Sequence, residues 1–103
     1  MDSLGCVKKG RFREIRMKLT FPNASRNYNV MQRSVRFVGH FAIFEITFDL
    51  DQDALIRMSP RAASDEASLL GVFDANRPRI EAVANTVYWR IRKDYCRLSA
   101  RDF

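Results

Sequence analysis

The sequence predicts an α+β domain, because a strand-like hairpin is followed by a long helical segment. Apolar residues alternate along two short runs between residues 34 and 49, as they do in half-buried strands. Between Ser64 and Lys93 they recur at intervals of three, four or seven, the pattern of an amphipathic helix. We therefore predict a small antiparallel sheet, made of hairpin 34–49 and a C-terminal strand 95–99, packed by one long or kinked helix 65–93 and a short helix 52–58.

Length and composition indicate a single domain without a membrane or metal requirement. A chain of 103 residues with 47% apolar residues has enough material for one core. No run approaches the roughly 18 apolar residues of a spanning helix, and no secretion signal is recognisable. The two cysteines, Cys6 and Cys96, form no disulfide or zinc pattern. We expect a cytoplasmic protein with no cofactor and no metal.

The net positive charge is concentrated at the N-terminus. Residues 1–18 contain six Lys or Arg and two acidic residues, and so carry four of the six net positive charges. Residues 1–16 show neither helical nor alternating periodicity, which predicts a disordered basic leader. Alternatively the gene start has been assigned one methionine too early and the chain begins at Met17. In either case the predicted domain spans residues 17–103, and a leader that binds phosphate is a further alternative.

The sequence pattern before the hairpin predicts little regular secondary structure. Residues 19–21 predict a short strand that Pro22 ends. The polar residues 23–29 are typical of a turn.

The hairpin is predicted to turn at Gly39-His40, because glycine readily adopts the positive φ that tight turns need. This turn aligns Phe37 with Ala42 across the two strands. One face is then apolar throughout and is predicted to lie on the core: Val35, Phe37, Ala42, Phe44, Ile46 and Phe48.

The opposite face of the hairpin is also rich in apolar side chains. Its residues are Ser34, Arg36, Val38, Phe41, Ile43, Glu45 and Thr47. Such a face is too apolar to be left wholly in water, so we predict that another element or a partner subunit covers part of it.

Capping residues and a proline place the helix ends. Asp49 or Asp51 is predicted to cap the short helix, and Ser64 the long one. Pro78 lacks an amide hydrogen and crowds the preceding turn, so it predicts a kink or a break near residues 76–77. The apolar stripe predicted to lie on the sheet is Leu69, Phe73, Ile80, Ala84, Val87 and Ile91.

Five segments together resemble a known family. They are FPNASRNY (21–28), SVRFVGH (34–40), ITFDLDQDAL (46–55), LLGVFDANRPRIEAVANTVYWRIRK (69–93) and YCRLSARDF (95–103). This pattern resembles domain of unknown function 1488, a family of small uncharacterised proteins of proteobacteria. The resemblance implies a single small α+β domain that begins close to Met17, with no established activity.

No residue pattern predicts catalysis or metal binding. His40, the single histidine, is predicted to be an exposed turn residue, and Cys96 a small core residue. The run Asp49, Asp51 and Asp53 superficially resembles a calcium loop, but it lacks the required glycine and the glutamate at the twelfth position. We interpret these aspartates as helix caps in a solvated turn.

Two residues of the long helix are candidates for binding. Arg77 lies on the apolar stripe, where a charge needs a partner. It is buried or faces a ligand, pairs with Asp74 or Glu81 on neighbouring turns, or is turned outward by the kink. Trp89 lies opposite the stripe beside several cations. It could contact a protein, stack on a nucleobase, or pack under a loop.

The leading functional hypothesis is a small, non-enzymatic protein-interaction or self-associating module, a homodimer or a complex with another protein. The contact would use the opposite sheet face or the Trp89 side. The alternative is a nucleic-acid-binding accessory protein that uses a basic helix face with Arg97 and the leader. The interaction candidates for both hypotheses are Trp89, Arg77, Arg90, Arg92, Lys93, Arg36, Phe41 and Ile43.

Overall fold

Four strands and three helices form the protein in a computed structural model that describes residues 18–103. The predicted α+β class is confirmed. The predictions for residues 1–16 and for a start at Met17 lie outside the described residues. In chain order the elements are β1 (Asn27–Asn29), β2 (Ser34–Phe41), β3 (Phe44–Asp51), α1 (Gln52–Met58), α2 (Glu66–Ala75), α3 (Arg77–Ile91), β4 (Tyr95–Leu98) and a terminal 3-10 turn (Ala100–Asp102).

The sheet is mixed, with strand order β1-β2-β3-β4. The first three strands are antiparallel to one another, whereas β4 runs parallel to β3. The prediction of a wholly antiparallel sheet is therefore wrong. β4 runs parallel to β3 because three helices connect the two strands. Such a long helical crossover returns the chain to the end of the sheet at which β3 began.

The hairpin turns at Ala42-Ile43, not at Gly39-His40. Phe37 consequently pairs with Phe48 instead of Ala42. Gly39 lies within the strand, and a Cβ atom added to it would sit only 2.7 Å from the ring of Phe21. This glycine is needed for a close approach and not for a turn. Its neighbour His40 is likewise a strand residue, whose amide and carbonyl bond the backbone of Thr20.

The observed register changes the composition of the two sheet faces. Phe41 moves to the helix side, where it pairs with Phe44, and Ile43 moves into the turn. The face opposite the helices is therefore largely polar, and the prediction that it is too apolar to be left wholly in water is wrong. Its residues on β2, β3 and β4 include Arg36, Val38, His40, Glu45, Thr47, Asp49, Tyr95 and Arg97.

The predicted long helix is two helices, and the predicted break near residues 76–77 is confirmed. The amide of Asn76 bonds carbonyls of α2, and α3 then begins with Pro78 in its first turn. Proline is favoured there because that position needs no amide donor. The α2 cap is Asp65 and not Ser64, since the Asp65 carboxylate accepts a hydrogen bond from the Ser68 amide at 3.1 Å.

The core lies between the helices and the inner face of the sheet. The Phe37 ring stacks on Phe48 and meets the edge of Phe73, with centroids 5.2 Å apart in both pairs. The predicted core face is confirmed at Val35, Phe37, Ile46 and Phe48, but not at Phe44, which is exposed, or at Ala42, which lies exposed in the turn. The fully buried large side chains include Val35, Phe37, Ile46, Phe48, Leu50, Leu55, Leu69, Phe73, Ile80 and Leu98.

The segment before β2 differs from its prediction. The strand predicted at 19–21 is a single bridge between Thr20 and His40. Part of the predicted polar turn forms strand β1, with Tyr28 paired to Val35. Among residues 18–103, no helix has the length and hydropathy needed to cross a membrane.

Candidate protein-binding site

The tip of the β2-β3 hairpin exposes two large apolar side chains next to each other. Ile43 is 92% exposed and Phe44 is 58% exposed. Ala42, the first residue of the two-residue loop, has φ of 56°, a conformation that such turns normally assign to glycine. A strained turn that also exposes apolar side chains breaks two local rules at once, and such places are enriched in functional sites.

A half-buried aromatic pair supports this tip. The rings of Phe41 and Trp89 meet edge to face, with centroids 4.9 Å apart and planes at 86°. The Trp89 indole N–H donates to Asn85 Oδ1 at 3.2 Å, and the Arg92 guanidinium lies 4.9 Å from the Trp89 ring. Trp89 therefore packs against the end of the hairpin instead of standing free on the helix.

We define the hairpin-tip patch as Phe41, Ile43, Phe44 and Trp89. Phe41 and Phe44 are directly paired across the hairpin, so the exposed and half-buried members form a connected surface. The base of the patch is held by ring contacts and a hydrogen bond, which lowers the entropy lost when a partner binds. This arrangement is suited to a protein contact with a central apolar anchor.

The polar sheet face carries a bonded network centred on Asp49. Asp49 is only 2% exposed. Arg36 donates two hydrogen bonds to it, both at 2.9 Å, and the Tyr95 hydroxyl donates one at 2.6 Å. The bonds from Arg36, helped by Tyr95, lower the pKa of Asp49 although burial acts in the opposite direction. Asp49 is therefore an ionised structural hub, and the prediction of a cap in a solvated turn is wrong for it.

Asp51 also binds an arginine instead of capping the helix with its side chain. It occupies the cap position of α1, but its carboxylate accepts from Arg97. Arg97 donates in addition to Gln32 on the β1-β2 connection. Beside this clamp, Ser34 is paired with Asp51 and its buried hydroxyl has no hydrogen-bond partner within the described chain. The charges of Arg36 and Arg97 are thus both neutralised inside the domain.

Arg77 is likewise used within the domain. It donates to the Ala24 carbonyl at 2.8 Å and lies 4.9 Å from the Phe73 ring centroid. Carboxylates of Asp74 and Glu81 lie 3.7 and 3.6 Å away. The structure therefore matches the predicted pairing alternative.

Two of the four cations predicted to form a nucleic-acid surface, Arg90 and Arg97, lie beside carboxylates of the same chain. Arg90 lies 3.6 Å from Asp102, and Arg92 ends α3 in a left-handed conformation over Trp89. Lys93 is exposed, and its carbonyl accepts from the Cys96 thiol. Arg92 and Lys93 are exposed and have no carboxylate partner within the described residues.

The surroundings of Cys96 and the placement of possible metal ligands bear on chemical reactivity. Cys96 is buried, and burial raises the pKa of its thiol, which disfavours the reactive thiolate. No group of three or more His, Cys, Asp or Glu side chains within residues 18–103 is placed to hold a metal ion.

Sequence reasoning overlooked Phe44 and Tyr95 as surface residues. The sequence pattern predicts Phe44 in the core because it places the hairpin turn at Gly39-His40, three residues before the observed turn. The sequence contains an indication of the exposed position of Phe44. Pairing Phe37 with Phe48 aligns two large aromatic side chains and leaves Phe44 beside the turn. Tyr95 becomes informative only when β4 is placed beside β3.

Comparisons with known proteins identify relatives whose function is not known. The family described as protein of unknown function DUF1488 matches residues 19–96. The crystal structure of a protein of unknown function from that family, from Shewanella loihica PV-4, is similar with a TM-score of 0.70 and 14% identity. The similarity covers 80% of this chain and 92% of that one, and at this identity it shows the fold alone. No curated protein matches the chain.

Proposed function

This chain belongs to the DUF1488 family, and we propose that it is a small, non-enzymatic, self-associating module whose hairpin-tip patch binds the same patch of a second copy. The observation that carries the proposal is the exposure of Ile43 and Phe44 beside each other at the tip of a strained turn. A twofold dimer places the same surface on both sides of its interface, so one apolar patch serves both copies.

The energetics favour a modest affinity. Complete burial of an Ile or Phe side chain stabilises by roughly 1.5–3 kcal/mol. Two copies contribute four such side chains, or at most about 12 kcal/mol, against an association cost of about 4–15 kcal/mol. Phe44 is already partly covered in one copy, which reduces the gain. With the smallest association cost, at most about 8 kcal/mol remains, so we expect a dimer that is no tighter than about micromolar.

The polar character of the sheet face opposite the helices supports the choice of the hairpin-tip patch as the interface. Arg36 and Arg97 on that face are held by carboxylates of the same chain. Breaking those pairs at an interface would cost desolvation without an apolar gain.

The non-enzymatic part of the proposal is supported by the state of the reactive groups. Asp49 is covered and bonded by Arg36 and Tyr95, and Cys96 is buried. A free buried thiol also fits the reducing cytoplasm, where we place the protein.

Sedimentation equilibrium of the complete chain tests self-association. We expect a monomer–dimer equilibrium at tens of micromolar for the natural protein and a monomer for Ile43→Asp. The matched control is Met31→Asp, since Met31 is 87% exposed at the opposite end of β2. A natural protein that stays monomeric at several hundred micromolar, or equal weakening by both variants, contradicts the proposal.

A further inference from the structure

Helix α3 and the C-terminal turn form an arginine-lined groove that shares no lining residue with the hairpin-tip patch. The groove has a volume of about 360 Å³. Three arginines line it, Arg79, Arg90 and Arg101, together with Val83, Val87 and Asp102. It combines cationic rims with an aliphatic floor.

The charges of this groove do not balance. Asp102 is the only carboxylate among its lining residues. One Asp102 oxygen accepts from the Ser99 amide at 2.8 Å, and the other lies 3.6 Å from Arg90. Arg79 and Arg101 have no carboxylate partner within the described chain, and Arg79 lies over the Phe103 ring instead. The groove therefore retains two uncompensated positive charges.

The spacing of these cations indicates an elongated ligand. Arg79, Val83, Val87 and Arg90 follow one another at intervals of four, four and three residues, so they lie along one side of α3. At about 1.5 Å rise per residue, the backbones of Arg79 and Arg90 are roughly 16 Å apart. A ligand that spans the groove from Arg79 to Arg90 is therefore elongated, as a short chain of residues is.

We propose that this groove binds an acidic peptide segment, whose carboxylates pair with the arginines while an aliphatic side chain rests on Val83 and Val87. Bidentate pairing with carboxylates is a property of the planar guanidinium group. A single-stranded nucleic acid instead needs aromatic platforms on which bases stack. The groove floor is aliphatic, which favours the peptide.

Fluorescence anisotropy with a labelled synthetic peptide tests the inference on the complete chain. The probe has two leucines flanked on each side by two glutamates, and it is titrated at low salt. We expect Arg79→Glu combined with Arg101→Glu to weaken binding about tenfold or more. The charge-matched control is Arg57→Glu combined with Arg61→Glu, two exposed arginines at the end of α1 and in the α1-α2 connection, which we expect to change the affinity less than about twofold.

Further arms of the experiment decide the ligand class. Both arginines are exposed, so the double variant should retain the natural circular dichroism spectrum and unfolding midpoint. Failure of the peptide to bind, or equal loss in the control with both Arg57→Glu and Arg61→Glu, overturns the inference. Tighter binding of a single-stranded oligonucleotide through the same two arginines also overturns it, in favour of nucleic acid. Ile43→Asp should leave peptide binding unchanged, so this result is separable from self-association.

Discussion

Arg36 donates two hydrogen bonds, both 2.9 Å long, to Asp49, the residue directly opposite it on the neighbouring strand. The Tyr95 hydroxyl on the next strand donates to the same carboxylate. The side chains that bond Asp49 also cover it, which explains why it is buried on a face without helices. This clasp therefore joins β2, β3 and β4 through a single ionised carboxylate.

The clasp should make stability depend on pH. Arg36 lowers the folded-state pKa of Asp49, so the pair stabilises above the unfolded carboxylate pKa of about 3.9. This contribution is lost as the pH falls through the folded pKa. Arg36→Met should therefore destabilise the protein near neutral pH, and its deficit should shrink as the medium becomes acidic. Urea unfolding at a series of pH values measures this change.

The control for the clasp is Arg26→Met. Arg26 bonds Asp74 in a similar geometry, but both partners are substantially exposed. Hydration compensates for an exposed pair, so we expect a smaller effect. An Arg36→Met deficit that is independent of pH contradicts the role assigned to Asp49.

Gly39→Ala should destabilise the protein by about 1–3 kcal/mol, as an overpacked core does. The added Cβ would lie 2.7 Å from the Phe21 ring, which packs against Phe37 and Phe48. The control is Gly71→Ala in α2, where nothing lies within 4 Å of the added atom. That change should stabilise by about 0.5–1 kcal/mol, because alanine is the better helix former. Free energies of unfolding in urea distinguish the two, and a neutral Gly39→Ala would refute the close approach.

Ala42→Gly should stabilise the fold by up to about 1 kcal/mol. Relief of the left-handed conformation is worth about 1–2 kcal/mol, from which the extra entropy of glycine in the unfolded chain is subtracted. Ala63→Gly, in an exposed connection with ordinary φ, should instead destabilise by about 0.5 kcal/mol. Thermal or urea unfolding reports the signs, and the same sign for both variants contradicts strain at the turn.

Asn85→Ala should cost about 2 kcal/mol, because it leaves two donors without their acceptor. The Asn85 side-chain oxygen accepts from the buried Leu19 amide at 2.8 Å and from the Trp89 indole. Hydrogen exchange at the Leu19 amide should become faster in this variant. Thr86→Ala, on the exposed neighbouring position, should remain within about 0.5 kcal/mol. Unchanged exchange at Leu19 would show that Asn85 does not hold this segment.

The sequence by itself determined the features that depend on local periodicity and backbone chemistry. The alternation through Val35, Phe37, Ile46 and Phe48 identified core positions because successive strand residues point to opposite faces. Pro78 marked the helix break because it has no amide hydrogen, a property of the residue in any fold.

Only the tertiary structure decided the turn, the direction of β4 and the state of the hairpin-tip patch. In the sequence Gly39 resembles a turn residue. Its actual role is to leave space for the ring of Phe21, a residue that is distant in sequence. Packing of Phe37 on Phe48 then set the register, which shifted the turn to Ala42 and exposed Ile43 and Phe44. A period-two pattern is compatible with several registers, and contacts between distant segments select one of them.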